Sequence, residues 1–271
     1  MRTRNTSIYL LLLTLLLCLL PVQSWAAVAF GTIGSGAGGT TSLSVPLPAS
    51  LADGDLMVMC VSNKYPTNGP STPSGWTAPA NNQGTGSDSA AGPDTGPTYA
   101  TIFYKVAASE SGNVAVTITS GNSSYGFIAR YTNATGLWSA AAAQGGDLAD
   151  GANWTATMGS DPGITAGDMV VACSARNEGI AISASAEAIT ATGLTIGTEA
   201  ERGDNGTSFG DNIMAVVSDH AISSGTASDV VTYTFTSATT SGGGTVILRI
   251  RETAASSALQ PSSGYLGGII K

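Results

Sequence analysis

The sequence predicts an all-β protein, an antiparallel, jelly-roll-like β-sandwich built from two related halves, and three observations support this fold class. First, segments 42–47 and 231–236 alternate apolar and polar residues with the period of two that is typical of half-buried strands. Second, stretches rich in Gly, Pro, Asn, Asp and Ser, such as 66–75 and 81–97, separate these segments as turns do. Third, the chain after residue 26 contains the same pattern of residues twice.

The repeat is clearest around two glycine-aspartate pairs. Gly54-Asp55 corresponds to Gly167-Asp168, and Cys60 corresponds to Cys173, at the same offset of 113 residues. Further matched segments are 41–47 with 154–158, 99–107 with 213–221, 113–119 with 229–236, and 127–131 with 246–250. A unit of this length exceeds the roughly 20–50 residues of solenoid repeats, so the duplication describes the architecture of a domain.

Each half contains about five or six predicted strands, and two sheets must face each other to bury enough apolar surface. Residues 56–61 and 169–173 are continuous apolar runs, which predicts central strands covered on both faces. Residues 181–191 are rich in alanine, but their Ser and Thr spacing favours a strand or loop over a helix. We favour one compact sandwich of two related halves, and two tandem sandwiches are the alternative.

The predicted organisation begins with a leader at 1–26, in which Arg2 and Arg4 precede a 12-residue apolar run and the small residues Ser24 and Ala26. This pattern predicts a signal peptide cleaved after Ala26; a retained anchor is the alternative, although the run is shorter than a membrane span. The first repeat is placed at 27–136, the second at 137–253, and a C-terminal tail at 254–271. We expect no membrane span in the mature chain.

Composition narrows the classes of partner. The formal charge of the chain is −8, and removal of the two leader arginines makes it −10, which argues against nucleic-acid binding. Charged residues are only 10% of the chain, as is common in extracellular β-proteins and in subunits that pack against neighbours. We therefore expect an extracellular location, at a cell or virion surface.

The two cysteines of the mature chain, Cys60 and Cys173, lie at equivalent positions of the repeat. An even number of cysteines in an exported protein favours a disulfide. Each cysteine also lies within an apolar strand, where a free thiol behaves as a small buried hydrophobe. We favour two free, buried thiols, with the disulfide as the alternative.

Three tryptophans are candidates for stacking on sugar rings. Trp76 follows a tight turn in Pro73-Ser-Gly-Trp-Thr77, at the start of a predicted strand, and Trp138 and Trp154 are the other two. We take Trp76 and Trp154 as the candidate ligand-binding residues. The competing interpretation is that such a ring closes the end of the sandwich.

Acidic residues suggest two further kinds of site. Asp204, Asn205 and Asp211 offer the hard oxygen ligands that calcium prefers, although Asp and Asn are also common in turns. A structural calcium ion is thus the one cofactor that we consider. Glu199 and Glu201 lie on the same side of a predicted strand and have the residue type of a glycosidase acid and base.

The only histidine follows an aspartate in Asp219-His220, the residue types of a base and its orienting carboxylate. The repeat places Lys105-Val106 at the matching position, which favours a structural role. We therefore predict no catalytic residues.

Gly54-Asp55-Leu56 opening an apolar strand, then 73–77, then Tyr104-Lys-Val-Ala-Ala108 before a strand and a second, similar cycle, resembles a diffuse group of bacterial and phage proteins. These are surface or virion-associated β-sandwiches, mostly of unassigned function. The resemblance covers nearly the whole mature chain, but its motifs are turns and strand starts. It implies surface placement and a binding or structural role, and no functional residue is carried over from it.

Together these patterns predict a non-catalytic, secreted or virion-surface protein that acts by assembly or by binding a partner. Its expected partners are copies of itself, other surface or virion proteins, or glycans. A lectin-like carbohydrate-binding module and a secreted glycoside hydrolase are the alternatives from other functional classes.

Overall fold

The computed structural model describes residues 28–64, 69–88, 96–119, 121–147, 153–177, 187–207, 212–227, 231–236 and 242–253. These residues form seventeen β-strands and no helix. The strands are β1 Ala29–Ile33, β2 Ala37–Gly39, β3 Ser42–Pro46, β4 Leu56–Lys64, β5 Gln83–Asp88, β6 Gly96–Val106, β7 Asn113–Thr117, β8 Ser123–Thr132, β9 Trp138–Asp147, β10 Asn153–Thr157, β11 Met169–Arg176, β12 Glu187–Thr190, β13 Leu194–Ile196, β14 Ala200–Thr207, β15 Ile213–Gly225, β16 Thr232–Thr236 and β17 Gly243–Glu252.

The strands form four antiparallel sheets. A first large sheet has the order β1-β8-β4-β6-β5, with β2 also paired to β8, and a second large sheet has the order β13-β15-β11-β17-β9, with β14 also paired to β15. A first cover sheet consists of β3 and β7, and a second cover sheet has the order β10-β16-β12. Every sheet takes all its strands from one repeat.

The strand order confirms the jelly-roll-like fold class. Counting from β9, and treating β13 and β14 as one interrupted fifth strand, the second large sheet runs first-eighth-third-sixth, and its cover sheet runs second-seventh-fourth. This is the order of a jelly roll. In the first repeat, β1, β8, β4 and β6 occupy the same four positions of the large sheet, and β3 and β7 occupy the second and seventh.

Three hydrophobic layers hold the four sheets together. One lies between the first large sheet and its cover sheet and includes Leu43, Met59 and Phe103. An equivalent layer lies between the second large sheet and its cover sheet. The central layer joins the two large sheets and takes residues from both repeats. Each repeat closes its own sandwich, as in the tandem arrangement considered from the sequence. The two large sheets, one from each repeat, also pack face to face and form a third sandwich that the two halves share.

The layering explains the sequence patterns. All nine residues of β4 and all eight residues of β11 are buried, since each strand has a hydrophobic layer on both faces. Strand β3 instead alternates between exposed and buried residues, because only one of its faces meets a core. The continuous apolar runs and the alternating runs of the sequence thus correspond to large-sheet and cover-sheet strands.

Equivalent residues of the two repeats meet across the central layer. Cys60 on β4 forms a disulfide with Cys173 on β11, 113 positions later. At the same offset of 113, Lys64 Nζ donates a hydrogen bond to Asn177 Oδ1. Because two pairs of equivalent residues meet along the same two strands, an approximate two-fold axis runs parallel to β4 and β11.

One edge of the central layer closes through glycines. Strand β5 of the first large sheet lies against β9 and β17 of the second. An added methyl group on Gly84, Gly86, Gly146 or Gly244 would overlap backbone atoms of the facing strand. The contact, which we call the glycine seam, involves Gly84, Gly86, Gly146, Gly243 and Gly244. Backbones approach this closely only where no Cβ atom intervenes.

The opposite edge of the central layer closes through polar and aromatic side chains. Arg202 on β14 donates hydrogen bonds of 2.7 and 2.8 Å to the two carboxylate oxygens of Asp219. Tyr131 of the first repeat donates a bond of 3.2 Å to the same carboxylate, and the Arg202 guanidinium lies 4.0 Å from the ring centre of Phe30. Burial raises the pKa of Tyr131 well above its usual value, so the phenol stays a proton donor to Asp219.

Candidate functional site

The tryptophan proposed as a sugar-binding residue is part of a core. Trp76 is only 8% exposed and lies in the hydrophobic layer under the first cover sheet, beside Phe103 and Met57. This burial favours the competing interpretation, in which the ring closes the end of the sandwich, and ligand binding by Trp76 stays a prediction. Trp154 contributes its backbone to β10, opposite Phe235, and its side chain lies outside the described part of the protein.

The residues proposed for calcium are only partly within the description. Asp204 and Asn205 lie on β14, and Asn205 Oδ1 accepts a hydrogen bond from Gly206 N. Asp211 lies outside the described residues. Within the described ranges, no group of three His, Cys, Asp or Glu side chains is arranged to hold a metal ion.

The acidic turns of the repeat have a structural task. Asp55 Oδ2 accepts hydrogen bonds from Ala52 N at 2.7 Å and from Arg130 at 2.6 Å. Asp168 binds Thr165 N in the same way, at 2.8 Å, and pairs with Arg251. These carboxylates cap the turn that precedes each central strand, and Gly54 and Gly167 have the positive φ angles of 89° and 87° that the turn needs.

Asp219 and His220 do not form a catalytic pair. They are consecutive residues of β15, so their side chains point to opposite faces of the sheet. Asp219 binds Arg202 in the central layer, whereas His220 faces the second cover sheet, where burial lowers its pKa.

The register also corrects the alignment of this pair with the first repeat. Val106 pairs with Leu56, and Ala221 pairs with Met169, so Val106 and Ala221 are the equivalent residues. The counterparts of Asp219-His220 are therefore Tyr104-Lys105.

The cysteines lie where the sequence predicts, on equivalent, buried, central strands, with exposed fractions of 1% and 0%. Their sulfur atoms are bonded to each other, however, which is the alternative to the free thiols favoured from the sequence. The reason is that stacking of the two large sheets brings β4 and β11 face to face, with a Cα–Cα distance of 5.5 Å between the cysteines.

The most unusual group of titratable side chains lies at one edge of the second sandwich. Glu187 begins β12, Glu199 lies just before β14, and Glu201 lies on β14 opposite Ser218 of β15. Glu199 Oε2 accepts a hydrogen bond of 3.3 Å from Glu187 N, which joins the two edge strands. We call Glu187, Glu199 and Glu201 the edge carboxylates.

The environment of these carboxylates favours their neutral forms. Burial, aided by the charges of Glu199 and Glu201, raises the pKa of Glu187 to about 8, although the neighbouring hydroxyls of Ser218 and Tyr233 act in the opposite direction. Partial burial raises the pKa of Glu201 to about 7, with the charges of Asp204 and Glu199 as further causes. Partial burial also raises the pKa of Glu199. The edge carboxylates therefore retain protons at pH values where ordinary glutamates are ionised.

This arrangement sets what the site can do chemically. Glu187 is 4% exposed, and both of its carboxyl oxygens are shielded from solvent, so it exchanges protons but touches no external molecule in this conformation. Glu199 is half-buried and Glu201 is exposed, and the two have the residue type of an acid–base pair.

Sequence analysis found Glu199 and Glu201 from their spacing but missed Glu187. The available signal is the alternation in Glu187-Ala-Ile-Thr190, in which Glu187 shares the inward face with Ile189.

Two shallow cavities offer hydrogen-bonding groups away from the edge carboxylates. One, of about 260 Å³, lies over the glycine seam and is lined by Gln144, Thr85 and glycines. The other, of about 170 Å³, lies in the first repeat and includes Thr72, Asn82 and Gln83 in its lining.

The described residues contain no helix that is long and apolar enough to cross a membrane. No protein-family model, curated protein or solved structure matches the chain.

Proposed function

We propose that this protein is a non-catalytic structural or adhesive protein of an extracellular, cell or virion surface, which acts by assembling with copies of itself or with other surface proteins. The observation that carries the proposal is the covalent stacking of two sandwiches, in which a buried disulfide joins the central strands of both repeats. Such a crosslink persists in an oxidising compartment, which agrees with the predicted export signal.

The outer surface fits the same role. Charged residues are 10% of the chain, and the cover strands expose Ser, Thr, Ala and Asn, as in Ser42, Ser44, Asn113, Ala115 and Thr117. Short, uncharged side chains of this kind pack against a neighbouring copy without burying a charge. The predicted tail at 254–271 ends in Tyr-Leu-Gly-Gly-Ile-Ile-Lys, and we propose that its apolar residues dock on a neighbouring molecule.

The test compares the mature protein, residues 27–271, with a version that ends at residue 253. We expect light scattering to show oligomers for the longer chain and monomers for the shorter one, and a glycan array to give no signal for either. A monomer that binds one glycan family, and loses this binding on Trp154→Ala, would instead establish the lectin-like alternative.

A secreted glycoside hydrolase is the second candidate, and one observation favours it. Glu201 has a pKa raised to about 7 and lies beside Glu199, and a glycosidase acid must keep its proton near neutral pH. Hydrolysis of a chromogenic glycoside that is abolished by Glu201→Gln, with folding unchanged, would replace the structural proposal by this one.

A further inference from the structure

We propose that Glu187 is a proton-operated latch: its neutral carboxyl group allows β12 to pack into the second sandwich, and loss of the proton releases this strand from the sandwich edge. The inference stands independently of the proposed function. It concerns a conformational change that neither repeat pattern nor composition indicates.

The geometry makes β12 the strand that such a group can control. Strand β12 has four residues and pairs with β16 alone. Only Glu187 and Ile189 point inward from it, so one of its two inward anchors is a carboxyl group. Both carboxyl oxygens are buried, and in the described part of the protein neither makes a hydrogen bond of acceptable geometry, although Ser218 and Tyr233 lie nearby.

The charges around Glu187 favour release once it is ionised. Glu201 on β14 and Glu199, the residue just before β14, carry the same charge as an ionised Glu187 and therefore repel it. From β15, His220 is on the same face but burial favours its neutral form, and Asp219 is on the opposite face.

The charges that act on Glu187 are those of Glu199 and Glu201. Arg202 is paired with Asp219 in the central layer. No compensating cation among the described residues therefore acts on Glu187, and a buried, unpaired carboxylate is strongly unfavourable.

The direction of the pH effect follows from linkage. In the closed strand the pKa of Glu187 is about 8, whereas a solvated glutamate titrates near 4.5. Between these values opening releases one proton, so the opening equilibrium constant rises about tenfold per pH unit. The stabilisation is complete below pH 4.5 and is lost as the pH rises to about 8.

Hydrogen exchange measured by mass spectrometry tests the latch in the disulfide-bonded protein, with rates corrected for the intrinsic pH dependence of exchange. Between pH 5.5 and 7.5, protection of β12 and of its partner β16 should fall by up to about a hundredfold. Protection of β3 and β7 in the first repeat should change little. In Glu187→Gln, which keeps the shape without the charge, the pH dependence of β12 protection should fall to the smaller part that comes from Glu199 and Glu201.

The matched control is Glu110→Gln, because Glu110 is a partly exposed carboxylate of the first repeat that is paired with Lys105. Its exchange profile should follow that of the wild type. An equal pH slope in the wild type and in Glu187→Gln would overturn the latch. If Glu187→Gln does not fold, the wild-type protein alone tests the latch, because protection of β12 that does not change with pH would overturn it.

Discussion

The two repeats close the same edge of their sandwiches with opposite chemistry. In the first repeat, residues 69–73 run beside β7, where Ser71 N donates a hydrogen bond of 2.9 Å to Thr117 O, and buried Pro70 and Pro73 interrupt any further pairing. Trp76 then fills the core beneath. In the second repeat, β12 pairs regularly with β16, and the buried group at its start is the carboxyl of Glu187.

The comparison separates what the fold requires at this edge from what makes the edge sensitive to pH. Both edges protect the backbone of a cover strand and both cover a hydrophobic layer, so the fold requires only that the edge be filled. An indole ring fills it at every pH, whereas a carboxyl group fills it only while protonated. Two copies of one architecture thus differ in whether the surrounding pH can act on them.

The largest expected effect comes from removing the apolar closure of the first repeat. Trp76→Ala should lower the free energy of unfolding by about 3–5 kcal/mol, because it leaves a cavity in a buried layer. Leu194→Ala, at the matching Gly-Leu-Thr position of the second repeat, should cost less, since Leu194 is only partly buried. Urea unfolding followed by circular dichroism measures both variants, and equal losses would contradict the proposed difference between the edges.

Breaking the bond between the repeats should have the next largest effect. Cys60→Ser and Cys173→Ser should each reduce the free energy of unfolding by about 2–5 kcal/mol, as does the loss of other native disulfides. Each variant is the control for the other, because both remove the same bond from equivalent strands. Unfolding of either variant at the urea midpoint of the wild type would show that the bond contributes nothing to stability.

A smaller effect tests the glycine seam. Gly84→Ala should destabilise the protein by about 1–3 kcal/mol, because the new methyl group would overlap the carbonyl oxygens of Thr245 and Gly145. Gly159→Ala is the matched control, since the nearest atom to its added Cβ is Gln144 O at 3.8 Å. Gly84→Ala should lower the melting temperature of the protein more than Gly159→Ala does. An unchanged melting temperature for Gly84→Ala would show that the strands at the glycine seam move apart at little cost in free energy.

The strands, the repeat and the central position of β4 and β11 could be predicted because the sequence records, residue by residue, which faces are buried. The disulfide could not be predicted with certainty, since it depends on how two sheets stack and not on the period of either strand. Glu187 was missed for a related reason: a glutamate in a short strand gives no sign of facing inward until its neighbours are placed.

The sequence alignment of Asp219-His220 with the first repeat was wrong by one residue. Loops of different length change the offset between matched segments from 113 to 119 along the chain, so only the strand register identifies equivalent residues.

The disulfide between the central strands also has a mechanical consequence for a molecule pulled from its two ends. Force applied at residues 28 and 253 passes from β4 to β11 through a covalent bond and bypasses the 113 positions between the two cysteines. At roughly 3.4 Å per residue, about 380 Å of chain stays unextended for as long as the bond is oxidised. Reduction would release this length, so the redox state of one buried pair of sulfur atoms sets how far the protein can stretch under load.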